Sequence, residues 1–501
     1  MAKKNKVQKK KASSVTEQKV VQETKKIGSS NICLLVTSII ALLVGLACFQ
    51  FYVNVIAVPN LPAIDLNEWW GTNTTKPKDT SIRPFRVLYI DSMQEGLRRL
   101  FDSYRRHPKL KSLTENSSYG VHSDAFGQFF AQWQFKYPFR DRVRYLNKYE
   151  HFKTYIQGLD IHFVHVKPKV DANIKVFPIL LIHGWPSTFK DFYDVIPILT
   201  TPRPGYDFVF EVIVPSLPGY VYSQATNKRG LAPTQIAVIL RNLMKKIGHE
   251  KFFIQAGDIG HFIGSHMATL FPDQVLGFHT NTPINASKLA NLIWLLGSIW
   301  PTLVAGDQAD KMYPISEKLS YYLEESGYMH LQGTKPDTIG YVLQDSPVGL
   351  AAYMLDRYMA FSNSSFKNTE EGGLDNISTF DMLDNVMLYW ITGSMTSAMR
   401  LYKETFASET ELILARIPTP VPTWALRLKY ELCYHPDWLL KLKYPSLLGT
   451  TSLNDGGHFA ALEKPKELAA DVFKASQSLW RDEIKKGTLS QEDYGNFLQI
   501  D

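Results

Sequence analysis

The sequence predicts an α/β fold, in which a mostly parallel β-sheet is covered on both faces by helices. From Asp160 onward, short apolar runs alternate with amphipathic helical stretches. Within residues 251–272, KFFIQAGDIGHFIGSHMATLFP, an apolar run turns abruptly into helical spacing. Because active sites in such sheets lie at the carboxyl ends of the strands, we expect the functional residues at that turn.

Apolar runs separated by turn residues or helices are the predicted strands. A helix is predicted over 231–247, where Ile236, Leu240 and Leu243 share one face, and an amphipathic helix over 465–480 closes the chain. The predicted strands are 161–166 (IHFVHV), 176–184 (VFPILLIHG), 208–216 (FVFEVIVPS), 251–257 (KFFIQAG), 421–428 (VPTWALRL) and 444–452 (YPSLLGTTS).

Asp258 occupies the turn from strand to helix, between Gly257 and Gly260. This layout is typical of a nucleophile elbow, which raises one side chain above the sheet edge and directs the next backbone N–H, that of Ile259, at developing negative charge. Here the raised group is a carboxylate, which forms an ester when it attacks carbon. A simpler alternative is that Asp258 only caps the following helix.

An enzyme-bound ester must be cut by activated water, and an oriented histidine is the usual means. His458 follows Gly456-Gly457 after the last predicted strand, downstream of Asp258 and Glu431. The backbone N–H of Trp185, in the sequence HGWP at the same sheet edge, is a candidate second oxyanion donor. Ordinary roles, a surface-loop histidine and a buried tryptophan, remain open for both.

The net charge of +7 is concentrated at the start of the chain. Residues 1–26 contain nine lysines against Glu17 and Glu23, so the rest is nearly neutral, and we expect no nucleic-acid partner. Residues 32–49, ICLLVTSIIALLVGLACF, carry no charge and reach roughly the 30 Å of a bilayer core, which predicts a single spanning helix. A cleaved signal peptide is the alternative, although no clear cleavage site follows.

The lysines before the span predict a cytoplasmic N-terminus and a lumenal or extracellular globular part. Glycosylation sequons would matter only in that case. Of three cysteines, only Cys433 lies outside the span, so neither a disulfide framework nor a cysteine zinc site is expected. The sequons begin at Asn73, Asn116, Asn285, Asn363 and Asn376.

Composition and periodicity together divide the chain into six parts. We interpret residues 59 to about 82 as a polar tether, the following segment to about residue 158 as an all-helical, loop-rich extension, and the aromatic-rich insertion as a lid over the site. The parts are a basic tail (1–30), a transmembrane anchor (31–58), a linker and N-terminal extension (59–158), the first part of the core (159–284), a helical lid (285–417) and the second part of the core (418–501).

The chain resembles the microsomal type of epoxide hydrolase, a membrane-anchored branch of the α/β-hydrolase fold. The resemblance implies that Asp258 is the nucleophile, His458 the base that activates water and Glu431 its acidic partner. It also implies that two lid tyrosines, Tyr328 in GYMH and Tyr402 in RLYKE, bind the epoxide oxygen. The similar stretches run from about residue 83 to 481 and include RPFRV, FKTYIQGLDIHFVHVKP, HGWPS, PSLPGY, GYMHLQGTKPDTIGYVLQDSPVGLAAYML, NVMLYW, RLYKE and GGHFAALEKP.

The implied reaction converts an apolar epoxide to a vicinal diol without a metal or an organic cofactor. The implied location is the endoplasmic reticulum membrane, with the bilayer as a partner. Relatives of the mammalian type are generally taken to face the cytosol, opposite to the charge rule, so the facing stays open. The oligomeric state is not predicted.

The elbow departs from the family's usual Gly-Gly-Asp-Trp-Gly, since Ala256 and Ile259 replace the first Gly and the Trp. This change should alter substrate choice or slow the reaction. A haloalkane dehalogenase is disfavoured because it commonly has Trp at the position of Ile259, and a serine esterase because the elbow has no Ser. A catalytically degenerate protein that binds apolar ligands is the remaining alternative.

Overall fold

The structure is a computed structural model of the 501-residue chain. It describes residues 31–72, 79–88, 90–106, 109, 111–114, 116–363, 365, 369, 374 and 377–485. The predicted basic tail, residues 1–30, and the sequons at Asn73 and Asn376 lie outside the described residues. The chain separates into two compact units, Met1–Val58 and Pro59–Asp501.

The first unit contains one described helix, α1, which spans Asn31–Ile56 and ends in a π-helical turn, Tyr52–Ile56. Its 26 residues reach roughly 39 Å at 1.5 Å per residue, and its large apolar side chains are exposed. Among the described residues, α1 is the one helix long and apolar enough to cross a membrane. It is consistent with the predicted single-pass anchor, because a helix that is apolar all round needs an apolar surrounding.

The described strands of the second unit form one nine-stranded sheet in the order β1-β2-β3-β5-β4-β6-β7-β8-β9. Neighbours from β1 through β3 to β5 are antiparallel, and neighbours from β5 through β4 to β9 are parallel. The strands are β1 (Arg83–Phe85), β2 (His151–Ile156), β3 (Leu159–Val166), β4 (Lys175–Ile182), β5 (Phe208–Pro215), β6 (Phe252–Ala256), β7 (Val275–Thr280), β8 (Thr423–Arg427) and β9 (Leu447–Ser452).

The predicted mostly parallel α/β sheet is confirmed, and the six predicted strands correspond to β3, β4, β5, β6, β8 and β9. Every residue of β6 is buried, because helices cover both faces of the central sheet. Strand β7 was not predicted. Its sequence, VLGFHT, contains a Gly and a His that interrupt the apolar run, yet all its residues are buried.

The expectation of an all-helical extension was wrong. Residues 151–156, HFKTYI, form β2, which pairs with β3 from His151–Val164 to Ile156–Leu159. β1 pairs antiparallel with β2 in turn. Lys153 and Thr154 interrupt the apolar run of β2, so the sequence did not indicate a strand there. Polar residues are tolerated at these positions because β2 lies in the antiparallel part of the sheet.

Helices pack against the sheet and form the extension. The predicted helices near 231–247 and 465–480 correspond to α6 and α19, and α6 begins with Pro at its first position and ends at Gly248 in a left-handed conformation (φ 109°). The extension contains α2 (Asp91–Arg106), α3 (Ser123–Lys136) and α4 (Phe139–Leu146), and the core contains α5 (Ile196–Leu199), α6 (Pro233–Ile247), α7 (Asp258–Leu270), α17 (Asp437–Lys441), α18 (Ala460–Glu463) and α19 (Pro465–Lys485).

Between β7 and β8 the described residues form nine α-helices, in the region predicted to be a helical lid. Their buried apolar side chains are continuous with the main core, except for a separate small cluster around α8 and α9. The helices are α8 (Lys288–Leu296), α9 (Pro301–Ala305), α10 (Ile315–Glu325), α11 (Gly327–Thr334), α12 (Pro336–Asp345), α13 (Pro347–Phe361), α14 (Thr379–Thr392), α15 (Met395–Ala407) and α16 (Glu409–Leu414).

A buried ionic cluster joins the extension, the core and the lid. We call it the Asp384 cluster. Asp384 on α14 is fully buried and accepts hydrogen bonds from the Tyr137 hydroxyl (2.6 Å) and the Arg142 guanidinium of α4. Lys190 of the core pairs with Asp381 on α14 and lies 3.8 Å from Asp384. Because each charge has partners of opposite sign, the cluster holds the lid without an uncompensated charge.

Candidate active site

The turn between β6 and α7 presents Asp258 at the edge of the sheet. Asp258 is the first residue of α7 and has φ 52°, a conformation rare for residues other than glycine. A Cβ at Gly260 would lie 2.7 Å from the carbonyl oxygens of His183 and Ile182, so glycine allows α7 to approach β4 this closely. The turn therefore has the backbone of a nucleophile elbow.

Two backbone N–H groups hold one side of the Asp258 carboxylate. The N–H of Trp185 donates to Asp258 Oδ1 at 2.9 Å, and the adjacent N–H of Ile259 helps to lower the pKa of this carboxylate. A Cβ at Gly184 would lie 2.2 Å from Oδ1, so the HGWP loop can contact the carboxylate only with glycine there. The two predicted oxyanion donors thus meet at Asp258.

His458 lies between two carboxylates. Its Nε2 is 3.0 Å from Asp258 Oδ2, and its Nδ1 is 2.7 Å from Glu431 Oε1. The side chains of His458 and Glu431 are each 4% exposed, whereas that of Asp258 is 24% exposed. The three residues predicted from widely separated segments therefore form one contiguous triad, with Asp258 as its accessible member.

The charges of the triad shift its pKa values in opposite directions. Burial raises the pKa of Asp258, but the hydrogen bond and charge of His458, together with the N–H groups of Ile259 and Trp185, hold it below its usual 3.8. Burial lowers the pKa of His458, but Glu431 and Asp258 raise it well above 6.5. The resting pair is accordingly an imidazolium next to a carboxylate.

Two tyrosines enter from the lid above the HGWP loop. Tyr328 on α11 stacks on Trp185, with ring centroids 5.3 Å apart, and Tyr402 on α15 packs edge-on against the same indole at 5.9 Å. The two phenol rings lie next to each other, with ring centroids 6.0 Å apart. Burial and the nearby Asp258 charge raise the pKa of Tyr328, so this hydroxyl stays protonated at neutral pH.

A small cavity of about 40 Å³ adjoins the triad. Asp258, His458, Gly184, Gly257 and Asn281 are among its lining residues. A cavity of this size, with polar partners, has room for a water molecule.

Two further residues support the triad and were not singled out from the sequence. The Thr282 hydroxyl accepts from the Asp258 N–H at 2.9 Å and lies 3.5 Å from Glu431 Oε2. The Glu463 carboxylate accepts from the N–H groups of Gly457 (2.8 Å) and Phe459 (3.0 Å), which flank His458. In a capping box, an acidic side chain in the first turn of a helix accepts a hydrogen bond from a backbone N–H that precedes the helix. Glu463 of the short helix α18 makes this kind of contact, so an acidic residue shortly after His458 is the sequence signal that could have identified it.

One set of three described side chains elsewhere could hold a metal ion: His165 on β3, Glu211 on β5 and His249 after α6, with donor atoms within 4.8 Å. Burial raises the pKa of Glu211, but the two imidazoles outweigh this effect and lower it. Contacts within the set, including 3.3 Å between Glu211 Oε1 and His249 Nε2, account for its geometry.

Two family models match the chain. One, described as Epoxide hydrolase N terminus, matches residues 82–192, and the other, described as alpha/beta hydrolase fold, matches residues 178–320. The juvenile hormone epoxide hydrolase of Manduca sexta is 46% identical over 84% of this chain and 91% of its own length. The chain belongs to the epoxide hydrolase family.

Other epoxide hydrolases agree with this assignment. Epoxide hydrolase 1 of Oryctolagus cuniculus is 40% identical over 81% of this chain and 91% of its own length. The crystal structure of juvenile hormone epoxide hydrolase from the silkworm Bombyx mori has a TM-score of 0.81 and 42% identity, covering 84% of this chain and all of that one. The protein is thus an epoxide hydrolase with an α/β-hydrolase fold, as the sequence predicted.

Proposed function

We propose that this epoxide hydrolase opens apolar epoxides through a covalent ester on Asp258. The observation that carries the proposal is the Asp258 carboxylate, held by two backbone N–H groups and hydrogen-bonded to His458, beneath the lid phenols. A carboxylate oxygen attacks a ring carbon, and the carbon–oxygen bond of the epoxide breaks. The electron pair goes to the epoxide oxygen, which takes a proton from Tyr328 or Tyr402.

The second step hydrolyses the ester. Ester formation removes the negative charge of Asp258, one of the two charges that raise the pKa of His458. The imidazolium then gives up its proton, which restores the tyrosine that was deprotonated in the first step, and the neutral imidazole becomes a base. His458, oriented by Glu431, then takes a proton from a water that attacks the ester carbonyl. The N–H groups of Trp185 and Ile259 hold the oxyanion. When it collapses, the bond between the acyl carbon and the substrate oxygen breaks, that oxygen takes the proton from His458, and the vicinal diol leaves as the Asp258 carboxylate and the imidazolium are restored.

The small cavity beside Asp258 and His458 supports this second step. Both Asp258 and His458 line this cavity, so a water held there would adjoin the base and the ester that the hydrolysis brings together. Each atom in the sequence of steps comes from the epoxide, from water or from these side chains, so the proposed reaction needs no metal or organic cofactor.

Trapping the ester tests the mechanism. His458→Ala should still form the ester but hydrolyse it slowly, so mass spectrometry after incubation with a styrene-type epoxide should find an adduct on Asp258. The matched control is Asp258→Asn combined with His458→Ala, which should acquire no adduct. If neither variant nor the unmodified protein ever carries an adduct, the alternative of a degenerate protein that binds apolar ligands is favoured.

Substrate choice is proposed to follow the apolar lid. Juvenile hormone, which the name of the Manduca sexta relative gives for that enzyme, is the first candidate. Diol formation from a panel that contains juvenile hormone, other lipid epoxides and small polar epoxides measures the preference. We expect the apolar compounds to have the higher kcat/KM, and faster turnover of the polar ones would contradict the proposal.

We also propose that α1 anchors the enzyme in the endoplasmic reticulum membrane with a single pass. Glycosylation reports which side carries the catalytic unit, since sequons are modified only in the lumen. Asn116 and Asn363 are half-buried. Asn285 is 1% exposed and donates to the Leu439 carbonyl, so it is not expected to be an acceptor in the folded chain. A mass shift that a glycosidase removes would indicate a lumenal catalytic unit. If no shift occurs while the sequons of a control protein are glycosylated in the same cells, the catalytic unit is cytosolic.

A further inference from the structure

The start of the lid carries an exposed apolar surface. We call it the α8–α9 patch. Its five large side chains lie at the end of α8, in the following turn and on α9, and each is more than half exposed. They are Leu295 (55%), Leu296 (54%), Ile299 (62%), Trp300 (66%) and Leu303 (78%).

The patch lies in a segment without charge. From residue 289 to 306 the sequence LANLIWLLGSIWPTLVAG contains no Asp, Glu, Lys or Arg, and only Lys288 and Asp307 border it. Single exposed apolar residues are common on soluble proteins, but five large ones within residues 295–303 indicate an interaction surface.

The inner side of the same segment is well packed, so the exposure is not a sign of an unfolded region. Ala290, Val304 and Ala305 are buried in a small apolar core with Met312 and Tyr313. The polar atoms of this core are satisfied, since the Tyr313 hydroxyl donates to the Trp294 carbonyl at 3.0 Å and the Trp438 indole to the Val304 carbonyl at 2.8 Å. The outer side chains are therefore held in place by an ordered support.

We propose that the α8–α9 patch inserts into the bilayer that α1 crosses. The proposal rests on the membrane anchoring in the proposed function. A chain anchored by α1 keeps its second unit at a high effective concentration near the lipid, so a modest apolar surface suffices for insertion. Trp300 is suited to the membrane interface, and side chains of this kind are buried roughly 5–10 Å into the headgroup and acyl boundary.

The lipid is favoured as the occupant because the patch lacks charges within the segment that could pair with a protein partner, while the anchored chain places a bilayer within reach. The position in the lid gives insertion a consequence for the reaction. Trp294 beneath the patch contacts Tyr322 of α10, with ring centroids 6.4 Å apart, and α10 leads directly into α11, which carries Tyr328. Insertion would keep this part of the lid in contact with the lipid bilayer, in which apolar epoxides dissolve.

Spin-label depth measurement on the full chain tests the proposal. In a variant whose three native cysteines are alanine, Leu303→Cys is labelled with a nitroxide and the protein is reconstituted into phosphatidylcholine vesicles. Collisions with oxygen, which partitions into lipid, are compared with collisions with a water-soluble nickel chelate. We expect the ratio of the two at residue 303 to exceed several-fold the ratio at Leu113→Cys, an equally exposed leucine (82%) in the extension.

A label at Val44→Cys in α1 separates this proposal from the one on which it rests. If residue 44 is in lipid and residue 303 is accessible to the nickel chelate like residue 113, insertion of the patch is overturned. Dipolar broadening between labels at residue 303 in neighbouring molecules would also overturn it, because the patch would then be a contact between copies. If residue 44 is itself in water, the anchoring proposal fails and the insertion proposal with it. None of these signals depends on catalytic activity.

Discussion

The triad around Asp258 and the Asp384 cluster both pair carboxylates with cationic partners, yet the two are arranged differently. Asp384 has no exposed surface and is contacted by Tyr137, Arg142 and Lys190. Asp258 is 24% exposed, and its partners are two backbone N–H groups and one imidazole. The first carboxylate is enclosed by fixed charges, and the second faces a group that can release a proton.

We interpret Asp384 as a structural carboxylate and Asp258 as the reactive carboxylate of the proposed mechanism. Guanidinium and ammonium partners keep their charge, so Asp384 is locked as an acceptor and joins α4, the core and α14. The imidazole partner of Asp258 titrates, so its charge can change as the carboxylate reacts. Burial of the partners is common to both carboxylates, whereas partial exposure and a titratable partner distinguish Asp258 from Asp384.

Replacement of Asp258 tests the reactive side of this comparison and should have the largest effect. Asp258→Asn keeps the side-chain shape and tolerates φ 52°, but removes the nucleophile. We expect kcat/KM to fall by at least ~10⁴-fold while stability changes little. Single-turnover diol formation measures the loss, and intact mass confirms that the asparagine persists. Diol formation at an undiminished rate would contradict the proposed mechanism.

Replacement of Asp384 tests the structural side. Asp384→Asn weakens the pairing of a buried guanidinium and ammonium, so we expect the free energy of unfolding to fall by about 3–5 kcal/mol, with kcat of the folded protein retained. Urea unfolding in detergent, followed by tryptophan fluorescence, measures the change. The control is Asp337→Asn, which breaks an exposed pair with Arg400 and should cost about 0–1 kcal/mol.

Glu463 is buried like Asp384, but it lies beside the triad, where its carboxylate accepts hydrogen bonds from the backbone N–H groups on either side of His458. Burial raises its pKa from 4.5 to about 7, so the folded chain binds an extra proton between these values. This contribution to stability is fully present below pH 4.5 and is lost as the pH rises to about 7, by up to roughly 3 kcal/mol. Unfolding free energies of the unmodified chain and of Glu463→Gln are measured across this range, and the difference between the two should fall as the pH rises from 4.5 to about 7, because the contributions of the other titratable groups cancel in the difference. Identical pH profiles would contradict it.

The two lid phenols belong to the Asp258 side of the comparison, because in the proposed mechanism they protonate the epoxide oxygen. Tyr328→Phe or Tyr402→Phe should each lower kcat/KM by about 10²-fold, and the double variant by more, because one phenol can partly replace the other. The control is Tyr353→Phe, whose ring also packs on Trp185 at 5.9 Å but whose hydroxyl pairs with Gln332. Equal losses in all three single variants would indicate packing rather than proton donation.

Local patterns predicted the parts of the fold that have strong periodicity. The apolar runs of β4, β5 and β6 and the amphipathic helix α6 were evident because burial on both sheet faces, or on one helix face, imposes a regular sequence. Strands β2 and β7 were missed, since Lys153 and Thr154 in one and Gly277 and His279 in the other interrupt that regularity. Thr282, which follows β7, was missed with it.

The sequence by itself determined the order of chemistry along the chain: an acidic residue at a strand-to-helix turn, a later acid, and a histidine after the last strand. Parallel strands bring their carboxyl ends to one edge whatever the sequence between them, so these residues could be expected to meet. Only the tertiary structure decided the distances from His458 to Asp258 and Glu431, the support from Thr282 and Glu463, and the enclosure of Asp384. Contacts between side chains far apart in the chain depend on how helices and loops pack, and local sequence patterns carry no information about that packing.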